Sequence, residues 1–213
     1  MLIAFGSKKW MLSVKDALTR CDMCHHFQCV FPESPNWVKT FKRNNKNTYE
    51  NEWYSNAGEK SSLCDYINIK FSIGMEEYLL DSTDFYGCSL TFKARSNTLP
   101  LEYRIRNWSA SNDEGTCRLC KDYVEDLRHF LFVCSSLNAV RIEEYQKLED
   151  DLCMNGLNDV WSLFIAGDLD TKLHLMLGSD INLIYHDSRV ILDRFCKSYL
   201  KRTWAVRNSA LKP

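Results

Sequence analysis

Three things are missing from this 213-residue chain, and each absence narrows what it can be. No apolar run reaches the ~18 residues that a membrane-spanning helix needs, so no membrane partner is expected. No secretory leader is readable, because the apolar stretch in MLIAFGSKKWML is short and Lys8 and Lys9 interrupt it. The expected setting is therefore intracellular, nuclear or cytoplasmic, where thiols stay reduced and bind metals more readily than they form disulfides. Net charge is also nearly absent, at −1. That total conceals an asymmetry: residues 143–187 carry ten acidic side chains against Lys147 and Lys172, while residues 188–213 carry seven basic ones against Asp193. A basic end of this kind is either a solvated helix face or a phosphate-binding surface, and charge alone does not separate the two.

Cysteine, by contrast, is abundant, with ten in the chain. The run CRLCKDYVEDLRHFLFVC has the spacing C-x2-C-x8-H-x4-C, formed by Cys117, Cys120, His129 and Cys134. Two thiolates one turn apart can grip one side of a tetrahedral zinc ion, and an imidazole and a third thiolate can close the other. Four protein ligands leave no open position for water or substrate, so the expected zinc is structural. A second group, Cys21, Cys24 and Cys29 with His25 and His26, packs its donors into nine residues with no matching pair nearby. A closed cage from so short a segment is awkward, and free cysteines near a helix end are the simpler expectation. Nothing supplies an activated nucleophile or an open metal site, so catalysis by this chain alone is not expected.

Apolar spacing predicts a mainly α-helical protein, a helical domain with a small zinc-clipped CCHC loop. KKWMLSVKDALTRC reads as a helix with Trp10, Leu12, Val14, Ala17 and Leu18 on its apolar side. The polar, basic and aromatic stretch 42–53 reads as a loop or hinge. Glu76, Tyr78, Leu79 and Leu80 read as helical, and residues 88–108 as a basic segment broken at Asn97 and Pro100. LRHFLFVC reads as a helix that loosens near Cys134, because five residues of α-helix would leave His129 and Cys134 off a shared face. A helix over 136–152 should turn Leu137, Ile142, Tyr145, Leu148 and Leu152 inward. In the last helix, 188–207, Ile191, Leu192, Phe195, Cys196, Tyr199 and Val206 share one side, opposite Arg194, Lys197 and Lys201 with Trp204 beside them. The organisation so read is an N-terminal segment 1–59, a basic helical segment 60–112, a knuckle 113–136 and a C-terminal helical region 137–213. Because the helices have apolar faces of their own, loss of the metal is expected to undo the knuckle alone. The candidate phosphate contacts are Arg95, Arg104, Arg106, Arg118, Lys121 and Arg128, with the basic side of the last helix as a second surface.

The runs KSSLCDY (60–66), SLTFKARSNTLPLEYRIRNW (89–108) and CRLCKDYVEDLRHFLFVC, with Arg141 seven residues on, resemble the region C-terminal to the polymerase domain in non-LTR retrotransposon reverse transcriptases. Such regions carry a Cys–His knuckle with an acidic-x-x-His-Phe-Leu stretch before the last cysteine, which Glu125 to Leu131 matches. Leu175 to Gly178 and Tyr199 to Arg207 are similar to how such chains close. The resemblance implies that Cys117, Cys120, His129 and Cys134 are the ligands. It also implies that the module helps hold template RNA or target DNA, as a partner of the rest of a reverse transcriptase. The polymerase itself is not in this sequence: no aromatic-x-Asp-Asp motif occurs, and Asp150-Asp151 follows Glu149 rather than a hydrophobic strand. The expected function is thus a zinc-bearing, nucleic-acid-binding accessory module. The alternative is a zinc-stabilised helical protein-interaction domain, or a decayed transposon fragment, that binds no nucleic acid.

Overall fold

A computed structural model describes residues 8–28, 36–60, 63, 66–70, 73–81, 83–108, 114–178 and 186–211. The chain divides into two compact units, Met1–Glu59 and Lys60–Pro213. In the first, α1 (Lys8–Arg20) forms as its spacing predicts, but only Val14 and Leu18 of its apolar side are drawn into a core. Trp10 and Leu12 lie exposed. That small core holds Leu18, Cys21 and Met23 against Phe27, Trp37 and Phe41. Residues 42–53, expected as a loop, instead lie inside α2 (Trp37–Gly58). The reason is visible at its inward stripe, which is polar. Asn44 donates to the Cys21 carbonyl (3.1 Å) and Thr48 to the Arg20 carbonyl (3.0 Å), while Glu52 pairs with Arg20. Asn44 and Thr48 thus cap orphan carbonyls at the end of α1 and Glu52 holds the Arg20 side chain, so the stripe does by polar contacts what leucines usually do by burial.

The second unit is also helical, and among its described residues the only strand-like pairing is one antiparallel bridge, Thr116 with Val124. Its elements are a short α3 (Tyr66–Ile69), a 3-10 turn (Glu77–Leu80), α4 (Phe85–Arg95), α5 (Glu102–Trp108), α6 (Asn138–Met154), α7 (Asn158–Ala166), α8 (Leu169–Leu177) and α9 (His186–Ala210). Asp84 starts α4 by accepting the Gly87 N–H at 2.9 Å. Asn97, in the left-handed region (φ 49°), ends it: its N–H reaches the Ala94 carbonyl and that of Thr98 reaches Lys93 (3.1 and 2.8 Å). This is a Schellman cap with asparagine in glycine's usual place. Asp168 caps α8 in the same way as Asp84, through the Thr171 N–H.

Helix α9 packs against α4, α6 and α8. Its Leu192, Phe195, Cys196, Tyr199 and Leu200 are buried; Phe195 and Tyr199 stack on each other, with Tyr145 of α6 tilted against both and Phe164 of α7 edge-on to Phe195. Two inward assignments fail. Ile142 is 62% exposed and Val206 38%, each on a side of its helix turned away from the core. Among the described residues no helix is long and apolar enough to cross a membrane.

Candidate metal centre

The knuckle begins as a hairpin. Gly115 and Glu125 pair through the Glu125 N–H (2.8 Å), and the Cys117 N–H bonds the Tyr123 carbonyl (2.7 Å). Gly115 has φ 75°, and a Cβ there would lie 2.9 Å from the Tyr103 Cα, so α5 can sit this close only over a glycine. At the tip, Lys121 takes a left-handed conformation (φ 63°) and its N–H closes back on the Cys117 carbonyl (2.8 Å), which turns Cys120 toward Cys117.

The other two donors come from a helical turn that Asp126 starts by accepting the His129 N–H at 2.7 Å. From His129 to Val133 the chain winds wider than an α-helix, and the Cys134 N–H donates five residues back to the His129 carbonyl (2.8 Å). This π turn resolves the spacing problem in the sequence, since five residues then make one turn and His129 and Cys134 face the same way. Widening frees carbonyls that an α-helix would satisfy. Leu131 O accepts from the Tyr199 hydroxyl and from Arg141, and Cys134 O accepts from Arg141 Nη2 at 3.0 Å.

The donor atoms of Cys117, Cys120, His129 and Cys134 all lie within 4.8 Å of one another, and the group can hold a metal ion. Cys117 Sγ and Cys134 Sγ are 3.9 Å apart, and Cys120 Sγ lies 3.3 Å from His129 Nε2. A tetrahedral ion with metal–sulfur bonds near 2.3 Å and a metal–nitrogen bond near 2.0–2.1 Å has edges of about 3.8 Å between sulfurs and about 3.6 Å between sulfur and nitrogen. Both of these separations match such edges, and the whole group lies within 4.8 Å. Burial pushes the Cys117 thiol up to about 12 and raises that of Cys134. Burial raises Cys120 as well, but hydrogen bonds from the Asp122 and Tyr123 backbone and from the other two thiols outweigh it and lower its pKa. Burial lowers His129, which keeps the imidazole neutral and able to ligate. Thiolates this enclosed need a cation, which a metal ion can supply. Among the described residues no second such group exists; Cys21 instead contacts Asn45, and Cys29 lies outside the described residues.

Behind the donors lies a charge cluster that sequence reasoning missed. Glu125, fully buried, contacts the Cys117 thiol at 3.8 Å and accepts from Arg207 Nε (2.8 Å) and from the Glu102 N–H (2.9 Å). Arg207 also reaches Glu102 at 3.3 Å, so one buried guanidinium joins two buried carboxylates and ties α9 to the hairpin and α5. Glu125 stands inside the motif, but Arg207 is 82 residues away and no local signal links them. The knuckle is thus part of the main core rather than an appendage. Leu127, Phe130, Leu131 and Phe132 are buried in it, with Phe130 edge-on to Trp204 at 5.9 Å. The expectation that metal loss would undo 113–136 alone does not suit this packing.

The sequence-derived cations divide into two groups. Arg95 is buried, 3.0 Å from Glu76 and stacked between the rings of Tyr66 and Tyr78. Arg104 is buried and donates to the Asn97 carbonyl (2.5 Å). Lys197 is buried against Asp81 (2.8 Å), and Lys201 pairs with Asp84 (2.6 Å). Trp204, beside them, packs on Phe130 and under the Arg207 guanidinium. The basic side of the last helix is therefore largely neutralised from within, and Arg194 is its exposed cation. Around the knuckle the cations stay outside. Arg118 is 60% exposed while touching Glu102 (3.0 Å), Arg106 is exposed with one bond to the Glu114 carbonyl, Lys121 is exposed, and Arg128 pairs with Asp170 (2.7 Å). Tyr123 is 63% exposed beside them and Tyr103 is 38% exposed. No protein-family model, no curated protein and no solved structure matches this chain.

Proposed function

We propose that the cluster holds one structural zinc ion, and that the zinc makes the hairpin a fixed edge for a single strand of RNA or DNA. Convergence of three sulfurs and one imidazole to within 4.8 Å of one another carries the metal half of this reading, and that donor set with no open position suits zinc in a structural role. The nucleic-acid half rests on the exposed residues gathered there. Arg106, Arg118 and Lys121 offer charge to phosphates, and Tyr103 and Tyr123 offer rings on which bases stack. The resemblance of 88–141 to the region after the polymerase of non-LTR retrotransposon reverse transcriptases points the same way. A second reading, an interaction domain that binds no nucleic acid, is favoured by the capture of Arg95, Arg104, Lys197 and Lys201 in internal contacts.

Salt separates the two. The metal-loaded chain should contain one zinc by elemental analysis and bind labelled single strands with an affinity that falls steeply as salt rises. Arg118→Ala with Lys121→Ala should weaken binding to all sequences alike, lower the logarithmic salt slope by roughly 1.4 for two lost phosphate contacts, and leave the zinc content unchanged. Unchanged affinity in that double variant would remove the nucleic-acid reading and leave the interaction domain.

A further inference from the structure

Helix α4 shows solvent a face that the metal centre does not use. Phe85 is 75% exposed, Tyr86 56% and Phe92 51%, and Ser89 and Lys93 lie between and beside them. Positions 85, 86, 89, 92 and 93 fall on one side of a helix, spanning about 120° of its circumference. The opposite side, with Leu90, Thr91 and Ala94, is buried. Isolated exposed apolar residues are ordinary, but three aromatic rings on two turns of one helix form a patch.

We propose that this face is a homodimer interface, in which α4 crosses the α4 of a second copy antiparallel at Ser89. Its chemistry is complementary to itself. A two-fold axis through Ser89 sets Phe85 against Phe92 of the second copy, and Tyr86 against Lys93, because each of these pairs lies on one lateral side of the crossing. The first pair is aromatic on aromatic, and the second places an ammonium on a ring. Both pairs occur twice, as an isologous contact requires. Serine at the crossing point is small enough to let the two helices approach to the usual 8–10 Å. A strongly charged partner finds less here: the face carries one cation and no carboxylate. The preceding 3-10 turn packs beside α4. It is held to α4 by the Cys88 thiol, which donates to the Tyr78 carbonyl (2.8 Å), and it exposes Leu79 and Leu80. The three rings leave about 350 Å² uncovered. This is under half of the ~800 Å² per partner of a standard interface, which suits a weak, concentration-dependent association.

Sedimentation equilibrium on the full chain, from about 1 to 200 μM, should show a monomer–dimer exchange that changes little with salt. Phe85→Glu and Phe92→Glu, both at exposed positions that face each other across the axis, should each leave a monomer with the near-ultraviolet circular dichroism of the parent protein. Ser89→Cys should cross-link under mild oxidation through its two introduced thiols, because residues on a two-fold axis face their own counterparts. Ser162→Cys, exposed on α7, is the control. A monomer throughout the concentration range would overturn the proposal, as would a dimer indifferent to Phe92→Glu. Cross-linking of S89C no faster than that of S162C would overturn the axis.

Discussion

Removing the metal should unfold the whole second unit, not the knuckle alone. The four donors join a hairpin and a π turn, and with the ion gone three thiols, two of them buried, and a buried imidazole remain. Holding them together then has no compensating bond, so the segment from Cys117 to Cys134 loses its conformation. That segment carries Leu127, Phe130, Leu131 and Phe132, all at 9% exposure or less, into the core that also holds Leu148, Phe164, Leu192 and Tyr199. At 1.5–3 kcal/mol for each large apolar side chain, its departure costs roughly 6–12 kcal/mol as an upper bound. The whole stability of a domain is about 5–15 kcal/mol, so what remains has little left to hold α6 to α9 together. The assay is a chelator titration that follows metal release, near-ultraviolet circular dichroism and limited proteolysis together. Protease sites across 138–210 should open in step with metal release, while the separate core of residues 8–58 need not respond. A chain stripped of metal that keeps its near-ultraviolet signal and resists cleavage in α6 and α9 would refute this reasoning.

Two further outcomes follow from buried charge. Arg207→Leu should destabilise the metal-loaded protein by about 3–5 kcal/mol in urea denaturation, because it leaves Glu102 and Glu125 buried without their shared cation. A loss below about 1 kcal/mol would mean that water reaches those carboxylates. For Glu144, burial raises the carboxyl, but hydrogen bonds from Lys147, Arg202 and Ser198 outweigh it and hold the group below its ordinary value. A depressed folded pKa contributes stability that is full above the unfolded value of about 4.3 and is lost as pH falls through the folded one. Glu144→Gln should therefore flatten the acid limb of a stability–pH curve below about pH 4, and an unchanged limb would exclude Glu144 as a contributor.

How much of this could be read from the chain depends on how local each cause is. The helical class and most helix positions are legible because an apolar residue every three or four positions needs no partner to be recognised. The four donors are legible because ligand spacing is a property of one short segment. Residues 42–53 are misread as a loop because the inward stripe of α2 is asparagine, threonine and glutamate, and its purpose appears only against the end of α1. The π turn is half legible: the five-residue gap between His129 and Cys134 demands some departure from an α-helix. The wider turn is stabilised by Tyr199 and Arg141, which lie outside the motif.

Charge is where sequence and structure part most. Composition places seven basic side chains in the last 26 residues, and that much is a matter of counting. Whether a cation faces water or a carboxylate depends on residues more than a hundred positions away, as with Lys197 and Asp81, Lys201 and Asp84, or Arg207 and Glu102. An ion pair falls off within a few ångströms and has no sequence period, so only packing α9 against α4 and the hairpin decides it. The sequence alone thus determined most of the helices and the four donor residues, each written within a few turns of chain. Tertiary structure alone decided which arginines and lysines remain outside to meet anything else.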